Sequence, residues 1–334
     1  MNLFVQGMRR SGTTIVYDAL LADPELSCSY EPLREEKVTE GGGSGAREGD
    51  AFAETRALRE EFRREHYPDL SIDEFNWGGP REPQLELEPG LPEHCAELLR
   101  HLLGRGQIEG SRDSVVKETR LYCKVLELHR LDPDAALVHV VRDPRAVAAS
   151  IVLGRGRRRQ RKLRTPDDFF ADRVERKLWS SREISARLLE RSGYPAIDDP
   201  SNVERVLLVW RLTFEAPRIE GRRLFGDRYL LLRNEELRSD PTGAIGRVYE
   251  LLGRPVPDAV ATWATRNVRP IESKFAEDDP RWLSSFERLG LGEAIEQAGY
   301  PELLEPGAYR SPEARFAGAM RRARERLRAG GRRG

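Results

Sequence analysis

The sequence predicts a three-layer α/β fold, with a central, mostly parallel sheet flanked by helices. Three observations predict it. A short apolar strand at residues 3–5 runs through a turn bounded by Gly7 and Gly12 into the helical spacing of Ile15, Val16, Ala19 and Leu20. A buried strand at 135–141, with ALVHVV as its bulk, leads into Asp143-Pro144, a good N-cap followed by proline at the first helical position. Strand and helix patterns alternate along the chain, which suits parallel strands joined by helical crossovers.

Taken in order, residues 3–5 form a strand and 13–21 a helix. Leu26–Tyr30 forms a second strand, ended by Glu31-Pro32, because the residue before proline is pushed out of helical geometry. The composition of 41–50, GGGSGAREGD, is that of a flexible loop. Helices and loops inserted between strands occupy 51–110, with proline-rich breaks near 80–92. Residues 114–116 are a strand, 121–131 a helix and 144–152 another. Amphipathic helices are expected at 169–191 and at 203–216, the latter stopped by Pro217. A strand at 229–232 and a helix at 244–252 follow. The expected organisation is one domain over 1–310, with insertions near 41–110 and 155–200. A basic helix and tail then cover 311–334.

Lys+Arg and Asp+Glu balance at 56 each in 334 residues. A dedicated nucleic-acid binder carries a basic excess, so no nucleic-acid partner is expected. Nearly all the positive charge is arginine; the lysines are Lys37, Lys117, Lys124, Lys162, Lys177 and Lys274. Cys28, Cys95 and Cys123 are odd in number and form no CxxC or Cys/His pattern, so neither a disulfide framework nor a zinc site is indicated. The opening MNLFVQG is not a signal peptide, and no apolar run reaches spanning length. A cytoplasmic protein without a membrane partner is expected.

The segment from Gly7 to Thr14, GMRRSGTT, is similar to the P-loop GxxxxGK[ST], with a strand before it and a helix after. Thr13 stands where the P-loop lysine grips the β- and γ-phosphates of a triphosphate. What remains is an anion cradle of backbone N–H groups at a helix N-terminus. Ser11, Gly12, Thr13 and Thr14 form it, the threonine hydroxyls add donors, and Arg10 adds a cation at its mouth. Arg142 lies at the carboxyl end of a buried parallel strand, where ligands bind in such sheets. Ser150 shares a helix face with Asp143 and Val147, so Arg142 and Ser150 can converge on one anion. Glu31 and Glu118, each just beyond a strand, are the candidate bases.

These motifs resemble those of the PAPS-dependent sulfotransferases. Arg10-Ser11-Gly12-Thr13-Thr14 is similar to their 5′-phosphosulfate motif, in the arginine form of the Golgi-type and protein-tyrosine members. VRDPRAVAAS at 141–150 resembles their 3′-phosphate motif, in which an arginine and a serine eight positions later bind that phosphate; Arg142 and Ser150 match. In protein-tyrosine sulfotransferases the catalytic glutamate lies twenty-one residues beyond the motif arginine, the separation of Arg10 and Glu31. Cytosolic members place Lys-Thr-His where this chain has Lys117-Glu118-Thr119, so their histidine base does not carry over, while Lys117 keeps a role at the transferring group. Ser273-Lys274-Phe275 resembles a Ser-Lys-Trp whose lysine contacts PAPS. Asn234 stands where the family has the tyrosine of Tyr-Glu-x-Leu.

The resemblance implies a P-loop-like fold, with PAPS as co-substrate and no metal. It further implies a hydroxyl acceptor, whether small molecule, carbohydrate or tyrosine. Arg10, Glu31 and Lys117 would act in catalysis, and Arg10, Ser11, Gly12, Thr13, Thr14, Arg142, Ser150 and Lys274 in binding the donor. A P-loop kinase of a small molecule and a non-catalytic nucleotide-binding protein remain the alternatives. The run 155–164, RGRRRQRKLR, is either a solvated loop or a lid that gathers an anionic acceptor.

Overall fold

The computed structural model describes residues 1–33, 50–75, 83–108, 110, 113–154, 165–175, 178–270 and 275–309. The glycine-rich stretch at 41–49, the basic run at 155–164, Lys274 and the tail from 310 onward lie outside them.

Five strands form one sheet: β1 (Leu3–Gln6), β2 (Leu26–Tyr30), β3 (Asp113–Glu118), β4 (Ala136–Val141) and β5 (Tyr229–Arg233). Their order is β2-β3-β1-β4-β5, and every neighbouring pair is parallel. The three central strands are buried along their whole length, which is why they read as continuous apolar runs rather than alternating ones. Alternation instead divides them between two faces. Leu3, Val5, Val115 and Val138 pack with α1 (Thr13–Leu20), α11 (Pro241–Leu251) and α12 (Asp258–Asn267). On the opposite face Phe4, Val116 and Leu137 pack with α2 (Asp50–His66), α4 (Glu93–Ile108) and α5 (Val125–Leu131). The segment between β2 and β3 thus supplies helices to one face, with the short α3 (Ile72–Phe75) between α2 and α4. A third apolar cluster joins α6 (Pro144–Leu153) to α9 (Asn202–Phe225), α13 (Arg281–Arg288) and α14 (Gly292–Gln297). Among the described residues no helix is long and apolar enough to cross a membrane.

Two helix boundaries differ from the expectation. Residues 169–191 do not form one helix. The chain makes α7 (Pro166–Phe170), then a turn, then α8 (Ser181–Leu189). Asn202 takes hold of the break: its backbone N–H donates to Asp172 O (2.8 Å), and its side-chain amide donates to Asp172 Oδ2 (2.9 Å) and Val174 O (3.0 Å). Phe169 meanwhile packs on Phe275 and Trp282, at 5.1 and 5.8 Å between ring centroids. Leu178, Trp179 and Ser180 then take φ of 42°, 56° and 69°, a left-handed run that no right-handed helix can contain.

The second difference is that Pro217 does not stop its helix. α9 opens on a capping box between Ser201 and Glu204 and runs through Pro217 to Phe225. Proline cannot donate to the carbonyl four residues back, that of Thr213. His139 replaces the missing donor, with Nε2 at 3.1 Å from Thr213 O. A carbonyl can only accept, so Nε2 carries the proton and Nδ1 accepts from Tyr229 OH at 2.9 Å. Burial pushes the His139 pKa down to about 4, the bond to Thr213 acting weakly the other way.

The unfolded chain takes up a proton on this histidine near pH 6.5, whereas the folded chain does so only near 4. Its contribution is therefore complete above pH 6.5 and lost as the pH falls towards 4, about 3 kcal/mol in all. His139→Ala is expected to destabilise the fold by about 2–4 kcal/mol at neutral pH, because Thr213 O and Tyr229 OH lose their partner. Urea melts between pH 7 and 4 test both statements. The wild type should lose stability more steeply than the variant over that interval.

Candidate active site

Each strand delivers one functional segment to the carboxyl edge of the sheet, and the strand order sets their arrangement. At the centre, β1 ends in the 7–12 loop, which closes with Ser11 N–H donating to Met8 O (3.0 Å). A side chain at Gly7 would stand 2.2 Å from Val140 O, so only glycine lets the loop lie against β4. Gly12 has a φ of 106° and presses on Asn234 at the end of β5; a Cβ there would stand 1.9 Å from Asn234 Nδ2. Gly12 is also the N-cap of α1 and offers no capping side chain, leaving the amides of the first turn open to an anion. Thr13 is buried and Thr14 exposed.

On the β4 side the structure brings three of the expected residues together. Arg142 Nη1 donates to Arg10 O (3.1 Å), and Arg10 Nε donates to Ser150 Oγ (2.8 Å). Among the described residues Arg142 Nε is buried without a hydrogen-bond partner, and the Arg142 carbonyl is pinned by Trp210 Nε1 at 2.9 Å. The Arg10 side chain therefore stands at the Ser150 end of the loop. Asp143 acts locally. It caps α6 by accepting from Arg145 N–H (2.8 Å) and clamps the Arg145 guanidinium.

On the opposite side, Lys117 and Glu31 meet. Lys117 and Tyr30 are register partners on β3 and β2, and Glu31 N–H donates to Lys117 O (2.8 Å), extending the ladder one residue. Glu31 itself turns into the left-handed region, with φ 44°. Lys117 Nζ donates to Glu31 Oε1 and lies 4.1 Å from the centroid of the Tyr30 ring. Burial disfavours the ammonium, but the Glu31 carboxylate, with Tyr30 and Glu118 adding to it, offsets this and holds the Lys117 pKa above the ordinary lysine value. Thr119 Oγ1 reaches Glu31 Oε1 at 3.5 Å. Tyr30 OH lies 3.2 Å from Thr14 Oγ1, which ties this group back to the central loop.

Glu118 has a different environment. It is 2% exposed and accepts from the backbone N–H groups of Leu33 (2.8 Å) and Thr119 (3.2 Å). Burial, offset in part by Arg120, raises its pKa. Its carboxylate anchors the turn that follows Glu31, whereas the Glu31 side chain stays partly open, at 15%.

Sequence reasoning gave no role to Tyr30, Thr119 or Arg9, and named Asn234 only as a departure from the family's tyrosine. Thr119 and Tyr30 carried a usable signal, since each adjoins a strand end already singled out. Arg9 had none. Its guanidinium donates to Trp179 O (2.9 Å) and Glu86 Oε1 (3.4 Å), and Glu86 is wholly buried and also accepts from Tyr122 OH (2.8 Å). Arg9, Glu86, Thr119, Tyr122 and Trp179 line a small opening, with room for about one water. Thr119 joins that opening to the Glu31 carboxylate.

The arrangement is an anion cradle at the sheet centre, a cationic cluster on one side and a carboxylate–ammonium pair on the other. A family model described as the sulfotransferase family matches residues 2–191, which span all these segments except those of Trp210 and Asn234. The chain belongs to the sulfotransferase family.

Solved sulfotransferases resemble it at low identity. Sulfotransferase STF9 from Mycobacterium avium is 16% identical, over 89% of this chain and 74% of that one, with a TM-score of 0.44. The sulfotransferase domain of the Synechococcus PCC 7002 olefin synthase is 17% identical, over 78% and 75%, with a TM-score of 0.40. The sulfotransferase domain from the curacin biosynthetic pathway is 13% identical, over 81% and 80%, with a TM-score of 0.43. No curated protein matches the chain. Among the described residues of this sulfotransferase, no group of three or more His, Cys, Asp or Glu is placed to hold a metal ion.

Proposed function

We propose that this sulfotransferase moves a sulfuryl group from PAPS to an acceptor hydroxyl and releases adenosine 3′,5′-bisphosphate. The observation that carries the reading is the meeting of Arg10, Arg142 and Ser150 beside the open amides of Gly12–Thr14. It supports two anion sites on neighbouring strands, one more than a nucleotide with a single phosphate chain needs. The residues fit the donor: among the described residues the buried Arg142 Nε lacks a partner, which a 3′-phosphate oxygen would supply. Lys274 is proposed as a further contact.

The donor contributes an activated sulfuryl group. The chain supports its transfer by position and charge. The acceptor places its hydroxyl within reach of Glu31. As the acceptor oxygen bonds to sulfur, Glu31 takes the hydroxyl proton. The bond from sulfur to the bridging oxygen breaks, and its electron pair leaves with the phosphate. The amides of the α1 N-terminus and the Lys117 ammonium stabilise that charge. Lys117 holds Glu31 in place before the reaction and is the cation left beside it afterwards. Acceptor class and a cytoplasmic location belong to the same proposal; Cys28, Cys95 and Cys123 are all free thiols, as suits a reducing compartment.

Thermal melts with adenosine 3′,5′-bisphosphate and with AMP test the donor. The bisphosphate should raise Tm well above the effect of AMP at equal concentration. Equal shifts would remove the second anion site, and with it PAPS. An acceptor screen with sulfur-labelled PAPS then reads the transfer itself. Magnesium-dependent transfer from ATP would instead favour the kinase reading, against which Thr13 stands in the lysine position.

A further inference from the structure

Asn234 opens α10 (Asn234–Ser239) directly after β5 and is 1% exposed. Its Oδ1 accepts from Arg238 Nε at 3.0 Å. A guanidinium can only donate, so this bond fixes which end of the amide is oxygen. Nδ2 then points the other way. It lies where a Cβ of Gly12 would be, against the anion loop, and among the described residues is buried without a hydrogen-bond partner. Burying an amide N–H without an acceptor costs about 1–3 kcal/mol. A polar group held so firmly in that state is placed for a partner that arrives later. The loop it faces is built to hold an anion.

We propose that Asn234 is a further donor-binding residue: its side-chain N–H donates to the 5′-terminal anion held by Gly12–Thr14, and Arg238 is a positioning residue that orients the amide. The inference rests on the donor reading above and adds a contact from β5, on the far side of β4 from the central loop. A second observation agrees with it. Burial, and after it the charge of Arg142, pushes the Arg238 pKa below the ordinary arginine value. The cations behind the loop are therefore under-compensated, and an anion in the loop relieves them.

Calorimetric titration of the full chain tests this with two probes. Adenosine 3′,5′-bisphosphate carries the anion that Asn234 would meet, and adenosine 3′-monophosphate lacks it. Asn234→Asp keeps the size of the side chain and its bond to Arg238 but turns the donor into a carboxylate. It should weaken the bisphosphate by about 10-fold or more, with 3′-monophosphate affinity unchanged. Asn234→Ala should act in the same direction by a smaller factor. Arg238→Gln should do so too, since its amide is free to turn. Equal losses for both probes would mark Asn234 as structural and overturn the proposal, as would no loss for either. Wild-type chain that binds neither probe would overturn the donor reading itself, and this contact with it. Bisphosphate binding that is intact in wild type and in Asn234→Asp would overturn the contact alone.

Discussion

Glu31→Gln is expected to lower kcat by about 10²–10⁴-fold, the usual range for removing a positioned base. Affinity for adenosine 3′,5′-bisphosphate should stay as in the wild type. Glutamine is the informative substitution because of Lys117. The ammonium is 1% exposed and bonded to Glu31. Truncation to alanine would leave it buried without its partner, at a cost of about 3–5 kcal/mol. A loss of activity would then mix chemistry with unfolding. Glutamine keeps an oxygen for Lys117 Nζ and removes only the capacity to take a proton. Steady-state kinetics with labelled PAPS, together with a titration of the bisphosphate, separates the two quantities. Normal turnover would exclude Glu31 as the base. Glu118→Gln provides the contrast. That carboxylate is occupied by the amides of Leu33 and Thr119, so the substitution should act through the stability of the 31–33 turn and leave bisphosphate affinity intact.

Arg142→Ala should weaken adenosine 3′,5′-bisphosphate by about 10–100-fold and leave AMP nearly unaffected, since charge-assisted hydrogen bonds contribute about 1.5–3 kcal/mol. The structural reason lies in what the side chain does in the folded chain. Among the described residues it makes one hydrogen bond, to the Arg10 carbonyl, and its Nε has no partner. The contact that fixes the segment, Trp210 Nε1 to the Arg142 carbonyl, belongs to the backbone and survives the substitution. Fold loss is therefore small and ligand loss large. Ser150→Ala should act in the same direction with a smaller factor, because it removes one neutral hydroxyl and the acceptor of Arg10 Nε. Parallel losses for AMP and the bisphosphate would place Arg142 outside a 3′-phosphate site.

The parallel sheet was legible because its central strands are buried on both faces and carry mostly apolar runs, with His139 the exception inside β4. The same feature marked the site, since Gln6, Lys117, Glu118 and Arg142 are where those apolar runs break. Helix boundaries were less legible wherever a distant residue decided them. Pro217 reads as a stop signal, and in isolation it is one; His139, on another element, supplies the hydrogen bond that lets the helix continue. The break after Phe170 leaves no mark in the helical periodicity of 169–191, because Asn202 and the Trp282 cluster impose it.

By itself the sequence determined the class of fold and picked out the two candidate anion motifs and the two carboxylates proposed as base, for these depend on local pattern: apolar runs, glycines at fixed spacing and a cap before proline. Only the tertiary structure decided which of those side chains meet. Lys117 faces Glu31 while Glu118 faces the Leu33 amide, Arg10 turns to Ser150, and Asn234 covers Gly12. The reason is that neighbours in a parallel sheet come from distant stretches of chain. Which side chains share a strand end is set by strand order and register, and neither is written in any one segment.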